Sequence, residues 1–166
     1  METFMYSKQC DGFSQVWWSG AVLIMVALTL PAFAALGGDA SSVAADAAHM
    51  KATVQMKMAP SGLYRTHEIQ TAHGTVVHEF VSSEGRVFGV AWRGPFVPNM
   101  RQILGTYFQQ YSAAAKEAKS KYVGRRPMNL QQPGLVVQST GHMRSYSGRA
   151  YVPGMLPQGV SAAEIR

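Results

Sequence analysis

The chain has 166 residues and a formal net charge of +6, from 15 lysine and arginine residues against 9 aspartate and glutamate residues. This length suits one domain of ordinary size once an N-terminal targeting segment is set aside, which excludes two comparable domains. The basic balance is compatible with nucleic-acid binding only if the chain stays in a compartment that holds nucleic acid.

The N-terminal part of the chain has the pattern of an export signal. An apolar run without a charged residue extends over residues 16–34 and ends in the small-residue pattern Ala32-Phe33-Ala34. Signal peptidases cleave after such a pattern, so we predict a signal peptide over residues 1–34. The protein is then expected to be exported to the periplasm or outside the cell, where nucleic acid is not an expected partner.

The charges before the apolar run leave an alternative open. Lys8 is accompanied by Glu2 and Asp11, so the positive bias of a signal peptide is poor. The run is also close to the ~18 apolar residues that span a bilayer, and an uncleaved anchor would then be the membrane contact. The single cysteine, Cys10, precedes the apolar run and lies within the predicted signal peptide. The mature chain would therefore have no disulfide and no thiol chemistry.

Residues 35–166 are predicted to form a single α+β domain. Its expected parts are a short N-terminal helix 39–50, strands and a main helix 52–121, a connector 122–134, a C-terminal strand pair 135–153 and a tail 154–166.

The strands before the main helix are predicted from alternating apolar and polar residues and from the turns between them. They are expected at Thr53–Met58, Leu63–Gln70, Thr75–Val81 and Arg86–Trp92. A three-residue loop at Ser83-Glu84-Gly85 would place Val81 opposite Val87 and Phe80 opposite Phe88. That register predicts one apolar face that requires a covering helix, formed by Val76, His78, Phe80, Phe88, Val90 and Trp92.

The covering helix is predicted to follow immediately, with Asn99 as its N-cap. Its apolar positions recur at helical spacing, and they are Met100, Ile103, Leu104, Tyr107, Phe108 and Tyr111. Strands are expected again at Leu135–Thr140 and Arg144–Val152, and Ser161 with Glu164 forms a capping-box pattern. The predicted fold class is α+β, with a mostly antiparallel sheet of about five or six strands covered by one main amphipathic helix.

Three segments carry a resemblance to a known family: GTVVHEFVSSEGRVFGVAWRGP, PNMRQILGTYF and GHMRSYSGRAYVPGMLPQGVS. With them, the chain resembles the bacterial proteins grouped as domain of unknown function 2844, from about Gly37 to Ile165. The resemblance implies an exported bacterial protein and carries over no catalytic or binding residue.

The histidines favour one chemical hypothesis, which their spacing weakens. His67, His73 and His78 lie close in sequence, and a metal-dependent enzyme or envelope hydrolase using strand histidines is the alternative function. In the predicted hairpin His73 lies at the turn and the other two toward its far end, so the three do not converge. No nucleophile motif or carboxylate pair is present. We therefore expect no catalytic residue, no metal and no cofactor.

One aromatic and cationic cluster is the candidate contact site: Trp92, Arg93 and Phe96, at the end of the meander. Aromatic and arginine side chains are common anchors of interfaces. The alternative is that Trp92 closes the end of the core and that Gly94-Pro95 only shapes the turn into the helix. Dispersed arginines could form a cationic face or only a solvated surface. The preferred function is a non-catalytic binding or structural module of the bacterial envelope. Its expected partner is an unknown envelope protein or an anionic envelope component.

Overall fold

The computed structural model describes residues 36–40, 53–121 and 127–166. The predicted signal peptide, nearly all of the predicted helix 39–50 and the start of the predicted connector lie outside these residues. Asp39 is described, and it forms an isolated antiparallel bridge with Arg86. Within the described ranges no helix has the length and apolar character needed to cross a membrane.

A single antiparallel sheet contains the strands of the described chain, in the order β1-β2-β3-β4-β7-β6-β5. The strands are β1 (Thr53–Met58), β2 (Tyr64–Gln70), β3 (Val76–Ser82), β4 (Val87–Gly94), β5 (Met128–Gln132), β6 (Leu135–His142) and β7 (Ser145–Tyr151). The predicted α+β class with a mostly antiparallel sheet is confirmed, and the sheet has seven strands instead of the expected five or six.

The additional strand is β5, which lies within the predicted connector 122–134. Prolines 127 and 133 flank β5 without entering it, so neither removes a hydrogen-bond donor from its ladder. Leu130 is the one buried residue of β5, and it pairs with Val137 of β6. Met128 is the other apolar residue of β5 and packs partly buried against the core, so the alternation spans only two apolar positions and is too short to predict a strand.

The main helix is present but interrupted. It consists of α1 (Met100–Leu104), a 3-10 turn (Gly105–Tyr107) and α2 (Phe108–Lys121). The Asn99 cap is confirmed, since its Oδ1 accepts hydrogen bonds from the N–H groups of Arg101 at 3.1 Å and Gln102 at 3.4 Å. Gly105 ends α1 with φ of +50°, a conformation open to glycine at little cost.

The helix covers one face of the sheet and forms the larger core with it. Ile103 and Leu104 are fully buried, and the other predicted apolar positions of the helix pack against them partly buried. The strands contribute ten buried residues to this core: Ile69, Val77, Val81, Val87, Val90, Trp92, Leu130, Leu135, Val137 and Ala150.

The predicted sheet register is correct at one end of the β3–β4 hairpin and wrong beyond it. Val81 pairs with Val87 as expected, but Phe80 pairs with Gly89 because Phe88 is an extra residue in a β-bulge. A one-residue shift exchanges the faces of a strand. Val90 and Trp92 therefore face the helix, whereas Val76, His78 and Phe80 face the other side, and the single apolar face predicted for these residues does not exist.

The second face is partly covered by the C-terminal tail. Ile165 is fully buried there against Phe80 and Phe88. It fills the space above Gly89, where an added Cβ would lie 2.9 Å from Ile165 Cδ1. The predicted capping box of Ser161 and Glu164 is confirmed on a short 3-10 helix, Ala162–Glu164.

Candidate ligand-binding depression

The part of the second face that the tail leaves uncovered contains a depression of about 960 Å³. Its floor is formed by β2, β3, β4, β7, β6 and β5, so it crosses the junction between the N-terminal meander and the C-terminal strands. The volume is within the usual range for small-ligand sites, roughly 300–1,000 Å³. The pairing of the strands sets which side chains line it.

One row of side chains across the floor is centred on Arg93. Arg93 of β4 pairs with Val76 of β3 on one side and with Ser147 of β7 on the other. Ser147 in turn pairs with Thr140 of β6. Cross-strand partners lie on the same face about 5 Å apart. Arg93 therefore has an apolar neighbour, Val76, on one side. On the other side the next two strands present hydroxyl groups, first Ser147 and then Thr140.

The next row along the strands contains longer polar side chains. From β2 to β5 it consists of Glu68, His78, Ala91, Arg149, Gln138 and Asn129. Ala91 is the small residue of this row, and it is 3% exposed because it belongs to the buried cluster that contains Ile165 of the tail. Gln138 Nε2 donates to Asn129 Oδ1 at 3.4 Å, which aligns the two amides at the β5–β6 side.

Three arginines line the depression, and they differ in their hydrogen bonding. Arg149 donates from Nε to Gln138 Oε1 at 2.7 Å and from Nη1 to the Ala162 carbonyl at 2.8 Å, so it fastens the tail. Arg93 is exposed and has no salt bridge or side-chain hydrogen bond within the described residues. Arg166 of the tail also lines the depression and is likewise exposed without a side-chain hydrogen bond or salt bridge among the described residues, so Arg93 is the cation that the strands of this face offer to a ligand.

The carboxylate at the far side of the depression is already paired. Lys57 Nζ donates to Glu68 Oε2 at 2.9 Å, and His78 Nε2 lies 3.7 Å from the same oxygen. The hydrogen bond from Lys57 is the main cause that lowers the pKa of Glu68 below its ordinary value. Glu68 is thus a paired anion at neutral pH, and Lys57 offsets its repulsion of an anionic ligand.

The structure does not bring the predicted contact residues into one cluster. Trp92 is 3% exposed and faces the helix, where its buried Nε1 has no hydrogen-bond partner among the described residues. Arg93 points to the opposite face and lines the depression, and Phe96 is 49% exposed beyond the end of β4. A contact role for Arg93 and Phe96 stays a prediction, and Trp92 is part of the core.

The three histidines considered as metal ligands are likewise separated. His67 pairs with Glu79 on the helix side of the sheet and is 7% exposed, while His78 lies on the opposite face. His73 lies in the turn between β2 and β3 and is exposed. Burial lowers the pKa of the His67 imidazole, and the neighbouring Arg65 adds to the effect. The described part of the chain contains no group of three His, Cys, Asp or Glu residues placed to hold a metal.

Sequence reasoning missed most of the polar side chains that line the depression. Ser147, Arg149, Gln138 and Thr140 are far from Arg93 in the chain, and only the β4–β7 pairing brings them beside it. The available signal was the period-two pattern of β7, which places Ser147 and Arg149 on one face. That pattern gives no indication of which strand lies next to β7.

These features define a small α+β protein whose sheet is covered by a helix on one face and carries, on the other, a depression with basic and polar side chains in a mainly apolar lining. The chain belongs to the family described as protein of unknown function (DUF2844), whose model matches residues 32–165. The resemblance seen in the sequence is thereby confirmed. Neither the curated proteins nor the solved structures that were searched contain a match to the chain.

Proposed function

We propose that this protein is an exported, non-catalytic binding module of the bacterial envelope, and that its ligand is an anionic glycan held in the depression. The observation that carries the proposal is the exposed Arg93 guanidinium, which has no ionic partner in the described chain and stands beside a row of hydroxyl and amide groups. An arginine fork can bind a carboxylate or phosphate through two hydrogen bonds.

The groups next to Arg93 favour a sugar as the molecule that carries the carboxylate or phosphate. Thr140 and Ser147 provide hydroxyls that both donate and accept, and Gln138 and Asn129 provide amides with the same ability. A polyol with one acidic group matches this arrangement, because its hydroxyls need partners of both kinds. The basic composition of the chain adds long-range attraction for a polyanion, which weakens as salt rises.

Export is supported by the apolar run of residues 16–34 and its small-residue end. Cell fractionation followed by N-terminal sequencing tests it directly. We expect the protein in the periplasmic or extracellular fraction with Ala35 as its first residue. Recovery of the protein from the cytoplasm with an intact N-terminus would contradict export.

Binding is tested by calorimetry with a galacturonate oligosaccharide, a glycerol-phosphate oligomer and a neutral oligosaccharide of equal length. We expect the chain to bind at least one of the two anionic probes and to bind the neutral probe far more weakly. The two anionic probes distinguish carboxylate from phosphate recognition. Absence of binding to both would overturn the proposal.

The matched variants are Arg93→Ala and Arg86→Ala. Both remove one exposed arginine of the same β3–β4 hairpin, but Arg86 lies at the far end of β4 from Arg93. Loss of a charge-assisted pair costs about 1.5–3 kcal/mol, so Arg93→Ala should weaken binding by roughly 10- to 100-fold. Arg86→Ala should change it little. Equal losses in both variants would indicate general charge attraction and not a site.

A further inference from the structure

A second surface lies at the end of the sheet where β4 and β6 finish and β3 and β7 begin. We name it the tip surface, formed by His73 of the β2–β3 turn, Phe96 and Val97 after β4, and Met143 and Arg144 of the β6–β7 turn. Its apolar members are exposed, with Phe96 49%, Val97 48% and Met143 80% accessible.

Contacts between the three segments make them one continuous surface. The Phe96 ring lies 6.0 Å from the His73 ring in an edge-to-face arrangement, and the Arg144 guanidinium lies 5.8 Å from the centroid of Phe96. Thr75 Oγ1 donates to the Phe96 carbonyl at 3.0 Å, which fixes the segment after β4 against the start of β3. The exposed side chains are thus held in place by a structured backbone.

The β6–β7 turn has an unfavourable backbone conformation for its sequence. Met143 has φ of +43° and Arg144 has φ of +65°, and they are the two non-glycine residues of the described chain with positive φ. Hairpin turns of this kind are usually built with Asn-Gly, because side chains are disfavoured in the left-handed region. A strained pair of large side chains at an exposed tip indicates a role other than folding.

The charge of the tip surface has one sign. The segments 71–75, 95–99 and 142–145 contain no aspartate or glutamate, while Arg144 lies within them and Arg93 precedes the second segment. Exposed apolar side chains next to cations, without acidic neighbours, complement a surface that is anionic outside and apolar beneath.

We infer that the tip surface docks on an anionic lipid bilayer, with Phe96 and Met143 entering the headgroup region and Arg144 contacting lipid phosphates. A bilayer is favoured over a protein groove as the partner, because these side chains protrude from two segments at one end of the sheet. This inference departs from the expectation that the membrane is contacted only through the N-terminal segment. Phe96, Met143 and Arg144 do not line the depression, so the inference does not rest on the proposed glycan site.

The first test is sedimentation of the full chain with vesicles of phosphatidylcholine alone or with added phosphatidylglycerol. The apolar run before residue 35 is common to all variants, so the measured quantity is the gain in binding caused by the anionic lipid. We expect that gain to fall at least tenfold in Phe96→Ser/Met143→Ser and to decrease with salt. Met58→Ser removes a methionine that is 65% exposed at the opposite end of the sheet, and it should leave the gain unchanged. Equal behaviour of both variants would overturn the inference.

The second test separates docking from folding. Replacement of Met143 and Arg144 by Asn and Gly relieves the turn, so the melting temperature should rise while the anionic-lipid gain falls. A merely unfolded variant cannot show this combination. A higher melting temperature with unchanged vesicle binding would show that the turn takes no part in docking and would contradict the inference.

A direct reporter of insertion is Phe96→Trp, compared with Leu63→Trp at the opposite end of the sheet, where Leu63 is 39% exposed. Trp17, Trp18 and Trp92 are present in every variant, so the measured quantity is the shift added to that of the parent chain. Anionic vesicles should add a shift to shorter wavelength in Phe96→Trp and add none in Leu63→Trp. A shift at both positions, or at neither, would contradict docking through the tip surface. Capture of a soluble protein by the tip without any vesicle binding would also overturn it.

Discussion

At the scale of single residues, Gly148 shows how closely the helix side of the sheet is packed. A Cβ built on Gly148 would lie 2.3 Å from Trp92 Cζ2 and 2.7 Å from the Gln138 carbonyl oxygen. The indole is buried and the carbonyl belongs to a paired strand, so neither can move without disturbing the sheet. The absence of a side chain at position 148 therefore leaves the space that the Trp92 ring occupies.

We expect Gly148→Ala to lower the free energy of unfolding by about 1–3 kcal/mol, as overpacking of a well-filled core does. Urea denaturation measures the change. Gly154→Ala is the matched control, since nothing lies within 4 Å of a Cβ at that position, and it should change stability little. A neutral Gly148→Ala would show that Trp92 does not fill this space.

His67 predicts a pH dependence of stability at the same scale. Burial lowers its folded-state pKa below the ordinary value of 6.5, with Arg65 adding to the effect. Because the pKa of His67 is lower in the folded chain, the unfolded chain binds more protons at this site as the pH falls through about 6.5. The stability of the folded chain therefore decreases as the pH decreases. We expect the loss between pH 7 and 5 to be smaller in His67→Gln, measured by urea denaturation at each pH.

The control for this dependence is His73→Gln, because His73 is exposed in a turn. It should keep the full pH dependence of the parent chain. An identical slope of stability against pH in the His67→Gln variant and the parent would show that another group causes the acid sensitivity.

At the scale of elements, the C-terminal tail is a structural part of the second face. Ile165 is fully buried among Phe80, Phe88 and Ala91, and Tyr64 Oη donates to Glu164 Oε2 at 3.1 Å. The tail borders the depression and is fastened by Arg149, so its docking also shapes the proposed glycan site.

Ile165→Ala is expected to cost about 2–4 kcal/mol, in the range of large-to-small changes in cores. Amide exchange should show the loss of protection concentrated in residues 153–166 and at the bulge near Gly89. Val160→Ala, at a half-buried position of the same tail, should cost clearly less. Loss of protection spread evenly over the sheet would contradict a local role for Ile165.

The elements also show how far the sequence could predict the fold. Alternation and turn residues were sufficient for β1–β4, and the cap at Asn99 with its apolar face was sufficient for the main helix, because these signals are local. The bulge at Phe88 was not predictable, since Phe88 and Gly89 fit either register until Ile165 fills the space above Gly89. The pairing of β4 with β7 depends on distant segments and has no local signal.

At the scale of the whole molecule, one face of the sheet forms the main core and the other carries the proposed binding site. One face carries the helix and the larger core, including the indole of Trp92 that the sequence suggested as a contact. The other face carries Arg93 and the depression. Alternate residues of one strand are thereby divided between stability and the proposed binding, and a Trp92→Ala variant would report on folding and not on ligand contact.

Arg93 also explains why the candidate site was only partly predictable. The residue stood out in the sequence because it follows a tryptophan in an aromatic and cationic stretch, but its actual neighbours are Val76 and Ser147 on other strands. A site built across strands from both halves of the chain is defined only when the order of the sheet is known.

The most direct measurement is the affinity of the full chain for the anionic oligosaccharides, compared between the parent and Arg93→Ala at low and moderate salt. The account predicts binding that is roughly 10- to 100-fold weaker in Arg93→Ala, with an unchanged melting temperature and with Arg86→Ala close to the parent. Binding of equal strength in the parent and Arg93→Ala would contradict the proposed role of the depression.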